Sequence, residues 1–294
     1  MRLQFGHYND IIGYMDSGDL RGLVSSFVEN LKNQGKSNYT IVAYKKDLEQ
    51  FIAFISSREK NDIKEVKRDE IDGFIQKLLG EGYTKKSASR KLNSIRTFFR
   101  FLKLEGVIGL NPALEVSHPK YTQAPPRILS KLEYRALRDF SKEDLRTYAI
   151  VELLLQTGVR IGELAEIKTT DIGTDSLKVN GRSIPLNKAV KKTIEEYLTI
   201  RHKTDSTYLF VTKTGRPLLV RNIRTLITRC FREVGIENAK VQDLRNTFIA
   251  YQLVGGGSIA YISKIVGHKR LSSTEKYLNL IKEETERKEK LGEL

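Results

Sequence analysis

Between residues 19 and 105 the apolar positions return every three or four residues in four successive runs, the spacing of amphipathic helices. The first run, Asp19 to Asn33, places Leu20, Leu23, Val24, Phe27 and Leu31 on one face, and Gly35 follows as a stop signal. A second begins near Ser37 and carries Ile41, Tyr44, Leu48, Phe51, Ile52 and Ile55. The third, Arg68 to Leu79, carries Ile71, Phe74, Ile75 and Leu78. The fourth, Lys85 to Glu105, buries Ala88, Leu92, Ile95, Phe99 and Leu102 and turns Lys86, Arg90, Lys91, Arg96, Arg100 and Lys103 outward. Four such helices make a compact first domain.

The pattern then breaks. Pro112, Pro119, Pro125 and Pro126 punctuate Asn111 to Pro126, and each proline pushes its preceding residue away from helix, so the chain is expected to run extended. The expected organisation is an N-terminal extension at 1–16, a helical domain at 17–115, a linker at 116–127 and a second domain at 128–294. Ser130-Lys131-Leu132-Glu133 matches a capping box and restarts helix. A helix follows near Leu145 to Gln156. Leu177-Lys178-Val179 and Ser183-Ile184-Pro185 then flank Asn180-Gly181, a pair that favours a type I′ turn in a β-hairpin. Tyr208 to Val211 reads as a further short strand. Helices are expected at Val220 to Val234, Val241 to Leu253 and Ser258 to Val266, and Lys282 to Lys290 is a mixed-charge segment with helical propensity. The chain is therefore mainly α with a small antiparallel β-sheet.

A length of 294 residues, with 39% hydrophobic and 30% charged, fits two globular domains. The longest apolar stretch, Ala149 to Leu155, is interrupted by Glu152 and is far shorter than the roughly 20 residues of a membrane span. The opening residues lack the basic and apolar regions of a secretory signal, so a cytoplasmic location is expected. One cysteine, Cys230, and four scattered histidines, His7, His118, His202 and His268, offer no metal-ligand spacing, and neither metal nor cofactor is expected. A net charge of +15 suits a polyanionic partner, because neutralising phosphates releases condensed counterions. A solvated basic surface would carry the same charge.

Four short boxes go further: Thr157-Gly158-Val159-Arg160-Ile161-Gly162-Glu163-Leu164, Asp243-Leu244-Arg245-Asn246-Thr247-Phe248, Val266-Gly267-His268-Lys269, and Tyr277 nine residues after His268. In order and spacing they resemble the tyrosine recombinase (phage integrase) family, particularly its Xer branch, over nearly the whole chain. The resemblance implies an all-helical core-binding domain followed by a mostly helical catalytic domain. It also implies that Arg160 and Arg245 clamp a scissile phosphate, that His268 assists and that Tyr277 is the nucleophile. Such a set suits the chemistry. Attack on a phosphodiester builds charge on the nonbridging oxygens, which bidentate guanidinium groups stabilise well, and a covalent intermediate keeps the energy of the broken bond. Glu163, one turn beyond Arg160, is placed either to orient that arginine or to form an exposed i,i+3 pair with it.

Two positions depart from the family. Gln242 stands where a histidine or lysine is usual, and Gln can hydrogen-bond a phosphate but carries no proton or charge. The hairpin is shortened, leaving Lys178 as its one lysine and the candidate donor to the leaving oxygen. In the first domain, Lys85, Lys86, Arg90, Arg96 and Arg100 are the expected DNA contacts, with the two domains clamping duplex DNA. The resemblance implies a homo-oligomer on DNA, a tetramer joining two sites, with the C-terminal segment from Asn279 packing on a neighbour. Its implied role is resolution of chromosome dimers at a dif-like site. A mobile-element integrase or resolvase, a type IB topoisomerase and a non-catalytic DNA-binding accessory protein remain open on sequence.

Overall fold

The computed structural model of the chain describes residues 17–122 and 124–278. The expected N-terminal extension and the segment from Asn279 onward lie outside them. Two compact units divide the chain, residues 1–123 and 124–294, each with its own core.

The first unit is built from α1 (Leu20–Asn33), α2 (Asn38–Ser56), α3 (Arg68–Gly80) and α4 (Lys85–Leu104). Side-chain caps start three of them. Asp19 accepts from the Gly22 amide at 2.9 Å, Ser37 from Thr40 at 3.2 Å and Thr84 from Ser87 at 3.2 Å. Each such cap is worth about 1 kcal/mol. The periodic apolar faces meet in a core rich in phenylalanine, where Phe51 packs edge-on to Phe74 with ring centroids 5.3 Å apart and Phe27 does so to Phe98 at 5.5 Å. A polar cluster is buried beside this core, and it takes in Lys91 of the expected outward face together with Asp47 and Ser94. Asp47 of α2 is 2% exposed, and α4 satisfies it with Arg90, Lys91 and Ser94.

The stretch after α4 is not extended throughout. Asn111 caps a single 3₁₀ turn, Pro112–Leu114, by accepting from the Ala113 amide at 3.1 Å. Proline fits there because the first position of a helical turn needs no amide donor. Arg96 of α4 then clasps the chain as it leaves, donating to the carbonyls of Ala113 at 3.0 Å and Val116 at 2.6 Å, while its Nη1 meets His118 Nε2 at 2.7 Å.

The second unit holds α5 (Lys131–Ser141), α6 (Leu145–Thr157), α7 (Ile161–Glu166), the hairpin β1 (Ser176–Val179) and β2 (Arg182–Pro185), α8 (Lys188–Ile200), α9 (Val220–Glu233), α10 (Val241–Val254) and α11 (Ile259–Val266). The Ser130–Glu133 capping box forms in both directions, at 3.2 and 2.7 Å. Two helices, α6 and α10, are buried on nearly every face and make the centre of the core. Even Glu152 of α6 is fully buried, paired with Arg138 of α5. The hairpin pairs Val179 with Arg182 and Leu177 with Ile184, with Asn180 and Gly181 at φ 47° and 73°, as a type I′ turn requires.

Tyr208 to Val211 forms no strand. It makes two isolated bridges, Tyr208 with Lys168 and Val211 with Pro217, because each neighbour approaches at a single residue. No expectation covers α8, although Val190, Thr193, Ile194 and Tyr197 recur at helical spacing and Asn187 caps it, accepting from Val190 at 2.9 Å. Among the described residues no helix is long and apolar enough to cross a membrane.

Candidate active site

The site forms where two helices end. α6 stops at Gly158 and α11 at Gly267, both in the left-handed conformation with φ of 62° and 66° that glycine adopts without strain. Helix C-termini leave carbonyls unsatisfied and carry partial negative charge. Arg245, projecting from the buried α10, takes up that position: Nη1 donates to the Gly158 carbonyl and Nη2 to the Val266 carbonyl at 2.6 Å. The side chain is 3% exposed and its hydrogen bonds go to carbonyls rather than to a carboxylate. Burial and the Arg160 charge pull its pKa down to about 10, which leaves it a cation at neutral pH. A buried cation with no directly paired carboxylate is a ready place for an anion.

Arg160 is the N-terminal residue flanking α7 and is half-exposed. Its Nη2 donates to the Gly267 carbonyl at 2.9 Å and its Nη1 to Glu163 at 2.9 Å. Glu163 does more than accompany Arg160. It also accepts two hydrogen bonds from Arg182 of β2, at 2.9 and 2.6 Å, and one from the Arg160 amide at 2.8 Å. Burial works against its charge, but Arg182 and Arg160 outweigh that and hold its carboxyl at about 2. Arg182 also donates to the Ile265 carbonyl at 2.7 Å. The hairpin, α7 and the end of α11 are thereby bolted together around one carboxylate.

His268 follows the α11 cap directly, and its Nδ1 shares a 2.8 Å hydrogen bond with the buried Thr274 hydroxyl. Burial and then the charges of Arg245 and Arg160 lower its pKa to about 4, so its imidazole is neutral at pH 7. Tyr277 lies in a helical segment at 272–278 and is 2% exposed. Its hydroxyl donates to Asn246 Oδ1 at 2.8 Å, and burial pushes the phenol pKa up against a partial offset from Arg245. Gln242, one turn before Asn246 on α10, donates to the same oxygen at 3.3 Å. A cleft of about 350 Å³ opens here, lined by Arg160, Gln242 and Arg245 together with Arg224 and Lys240. Four of these five side chains are cationic types, as a phosphate site requires.

The pattern of the phage integrase family matches residues 127–284, and that of the phage integrase N-terminal SAM-like domain matches residues 24–106. The chain belongs to the phage integrase family. The chain is 31% identical over 278 residues to tyrosine recombinase XerC of Thermodesulfovibrio yellowstonii, covering 87% of this chain and 91% of that one. It is 30% identical to XerC of Staphylococcus saprophyticus, covering 84% and 88%. Among solved structures, XerA recombinase is 27% identical, covering 88% of this chain and 93% of that one, with a TM-score of 0.50. A lambda integrase dimer bound to a COC′ core site shares the fold at 18% identity, with a TM-score of 0.71 and coverage of 86% and 96%.

Of the residues singled out in the sequence, Arg160, Gln242, Arg245, His268 and Tyr277 fall in this one region. Lys178 does not join them. Leu177 and Val179 face the core with Arg182, so Lys178 stands on the opposite, exposed face of the hairpin beside Ser183. Arg182, Asn246, Arg224 and Lys240 were not foreseen. For Arg182 the signal is alternation, since the residue paired with a buried Val179 must share its inward face. In the first unit Lys85, Lys86 and Arg100 are exposed, whereas Arg90 pairs with Asp47 and Arg96 is engaged with two carbonyls and His118. Among the described residues no cluster of three or more His, Cys, Asp or Glu is placed to hold a metal ion.

Proposed function

We propose that this protein is a site-specific tyrosine recombinase that cuts and rejoins duplex DNA through a 3′-phosphotyrosyl intermediate. The observation that carries the reading is Arg245, a buried cation held by two helix ends and opening with Arg160 into the cleft, one amide away from the Tyr277 hydroxyl. The scissile phosphate lies against both guanidinium groups, which stabilise the charge that develops on its nonbridging oxygens. Tyr277 passes its phenolic proton to water or to neutral His268, its oxygen bonds to phosphorus, and the bond to the 5′ oxygen breaks. That oxygen takes up a proton and leaves as a hydroxyl. Gln242 positions the phosphate by hydrogen bonding, and neutral His268 donates to it or relays a proton. Lys178 is the donor to the leaving oxygen if DNA lies along the exposed face of the hairpin. Attack by the 5′-hydroxyl of a second duplex reverses the step and needs no outside energy.

Exposed Lys85, Lys86 and Arg100, with Arg90 and Arg96 where they exchange their internal partners for phosphate, extend the contact to the duplex. The protein works as a tetramer joining two sites. Similarity to proteins named XerC supports resolution of chromosome dimers at a dif-like site, hence action in the cytoplasm. The test is a supercoiled plasmid carrying two copies of a candidate site. Excision of the intervening segment, absent with Tyr277→Phe, is the expected result. Relaxation of supercoils without excision would place the protein with topoisomerases instead.

A further inference from the structure

We propose that Asn246 is the positioning residue of the nucleophile: its amide oxygen holds the Tyr277 hydroxyl and also accepts from Gln242, which lines the cleft, while its amide nitrogen is anchored by Asp243 and the Arg127 carbonyl. The proposal rests on the recombinase reading only in taking Tyr277 as the nucleophile. Asn246 is 6% exposed and every polar atom of its side chain is engaged. Nδ2 donates to Asp243 Oδ1 at 3.2 Å and to the Arg127 carbonyl at 3.3 Å, while Oδ1 accepts from Tyr277 at 2.8 Å and from Gln242 Nε2 at 3.3 Å. The orientation of the amide follows from its neighbours. A carbonyl can only accept, so Nδ2 must face Arg127, and Oδ1 must face Tyr277.

With Oδ1 as acceptor, the Tyr277 hydroxyl is a donor whose proton points at Asn246. An amide oxygen cannot take that proton. Asn246 therefore holds the phenol in its neutral form and fixes where its oxygen sits, without serving as the base. Gln242 lines the cleft and donates to the same Oδ1. A phosphate that draws the Gln242 amide to itself changes the load on the oxygen that holds the nucleophile, so cleft and nucleophile share one acceptor.

The experiment is an alkaline absorbance titration of the full-length protein, with the Tyr277 contribution isolated by subtracting the same trace for a Tyr277→Phe partner. In Asn246→Ala the neutral phenol loses its acceptor, and Tyr277 is expected to titrate about tenfold more readily, one pH unit lower. In Asn246→Asp a carboxylate replaces the acceptor, and Tyr277 is expected to titrate at higher pH than in the wild type. The pH dependence of adduct formation on a nicked duplex is expected to move in the same two directions. Opposite shifts separate positioning from loosened packing, which would move both variants downward. Shifts of one sign, or no shift in either variant, would overturn the proposal; where Asn246→Asp does not fold, because its second oxygen meets Asp243 and the Arg127 carbonyl, Asn246→Ser keeps an uncharged acceptor, and a Tyr277 titration as low as in Asn246→Ala would overturn the proposal. The titration uses no DNA, so a wild type that forms no adduct while Tyr277 shifts as expected would overturn the recombinase reading, and with it the nucleophile, and would leave only the hold of Asn246 on the Tyr277 hydroxyl.

Discussion

Glu163 is the residue on which the arginine cluster turns. It pairs directly with Arg160 and Arg182 and acts on Arg245 only from a distance, which leaves the cluster net positive and ready for an anion while easing the repulsion among three guanidinium groups. Its carboxyl is held at about 2, below the ordinary 4.5. A carboxylate depressed in the folded state stabilises fully above its ordinary pKa, and that stability is lost as the pH falls through the folded value. Glu163→Gln is therefore expected to destabilise the second unit by at most about 3 kcal/mol at pH 7, from a shift of about 2.5 units at 1.36 kcal/mol each. The difference from wild type should shrink as pH falls from 4.5 towards 2, which urea unfolding at pH 7 and pH 3 would read. A constant difference would contradict the account. The boxes around Arg160, Arg245, His268 and Tyr277 were legible because each is a local string of residue types. The Arg182–Glu163 pair and the Asn246–Tyr277 bond span 19 and 31 positions, and a sequence reports residue types without their partners.

At the scale of elements, two glycine-ended helices aim the arginines. Gly158 has no room for a side chain, because an added Cβ would run into the Phe248 ring and its φ of 62° already disfavours one. Gly158→Ala is expected to cost more than about 1 kcal/mol of stability. It should also slow adduct formation by shifting the carbonyl that holds Arg245, and a variant with wild-type melting and cleavage would contradict that. Helix α4 poses the opposite question, since its basic face looks uniform in sequence. Lys85→Ala with Lys86→Ala is expected to weaken duplex binding about uniformly across sequences with little change in melting temperature. Arg96→Ala is expected to lower the melting temperature as well, since it removes the clasp on Ala113 and Val116. Gel shifts beside thermal melts would separate the two. Helix faces and caps were readable because 3.6-residue periodicity and capping are local. Tyr208 to Val211 misled because a run of strand-forming residues says nothing about whether a neighbour stays alongside.

For the whole molecule, the net charge of +15 makes salt the natural probe. If six or more phosphates are contacted, affinity for duplex DNA should fall by roughly a thousandfold or more between 50 and 200 mM salt. A fall of only a few-fold would mean that the charge is surface solvation. Charge indicated a polyanion, whereas the boxes indicated which bond in it is cut. The two kinds of signal are independent, since one is summed over the chain and the other sits in four short strings. The claim that joins them is that Tyr277 becomes covalently attached to DNA. It is tested most directly by mixing the full-length protein with a nicked duplex bearing a candidate site and resolving the products under denaturing conditions. The account predicts a protein–DNA adduct that disappears in Tyr277→Phe while binding to the duplex persists. An adduct that survives Tyr277→Phe, or wild-type binding with no adduct on any candidate site, would contradict it.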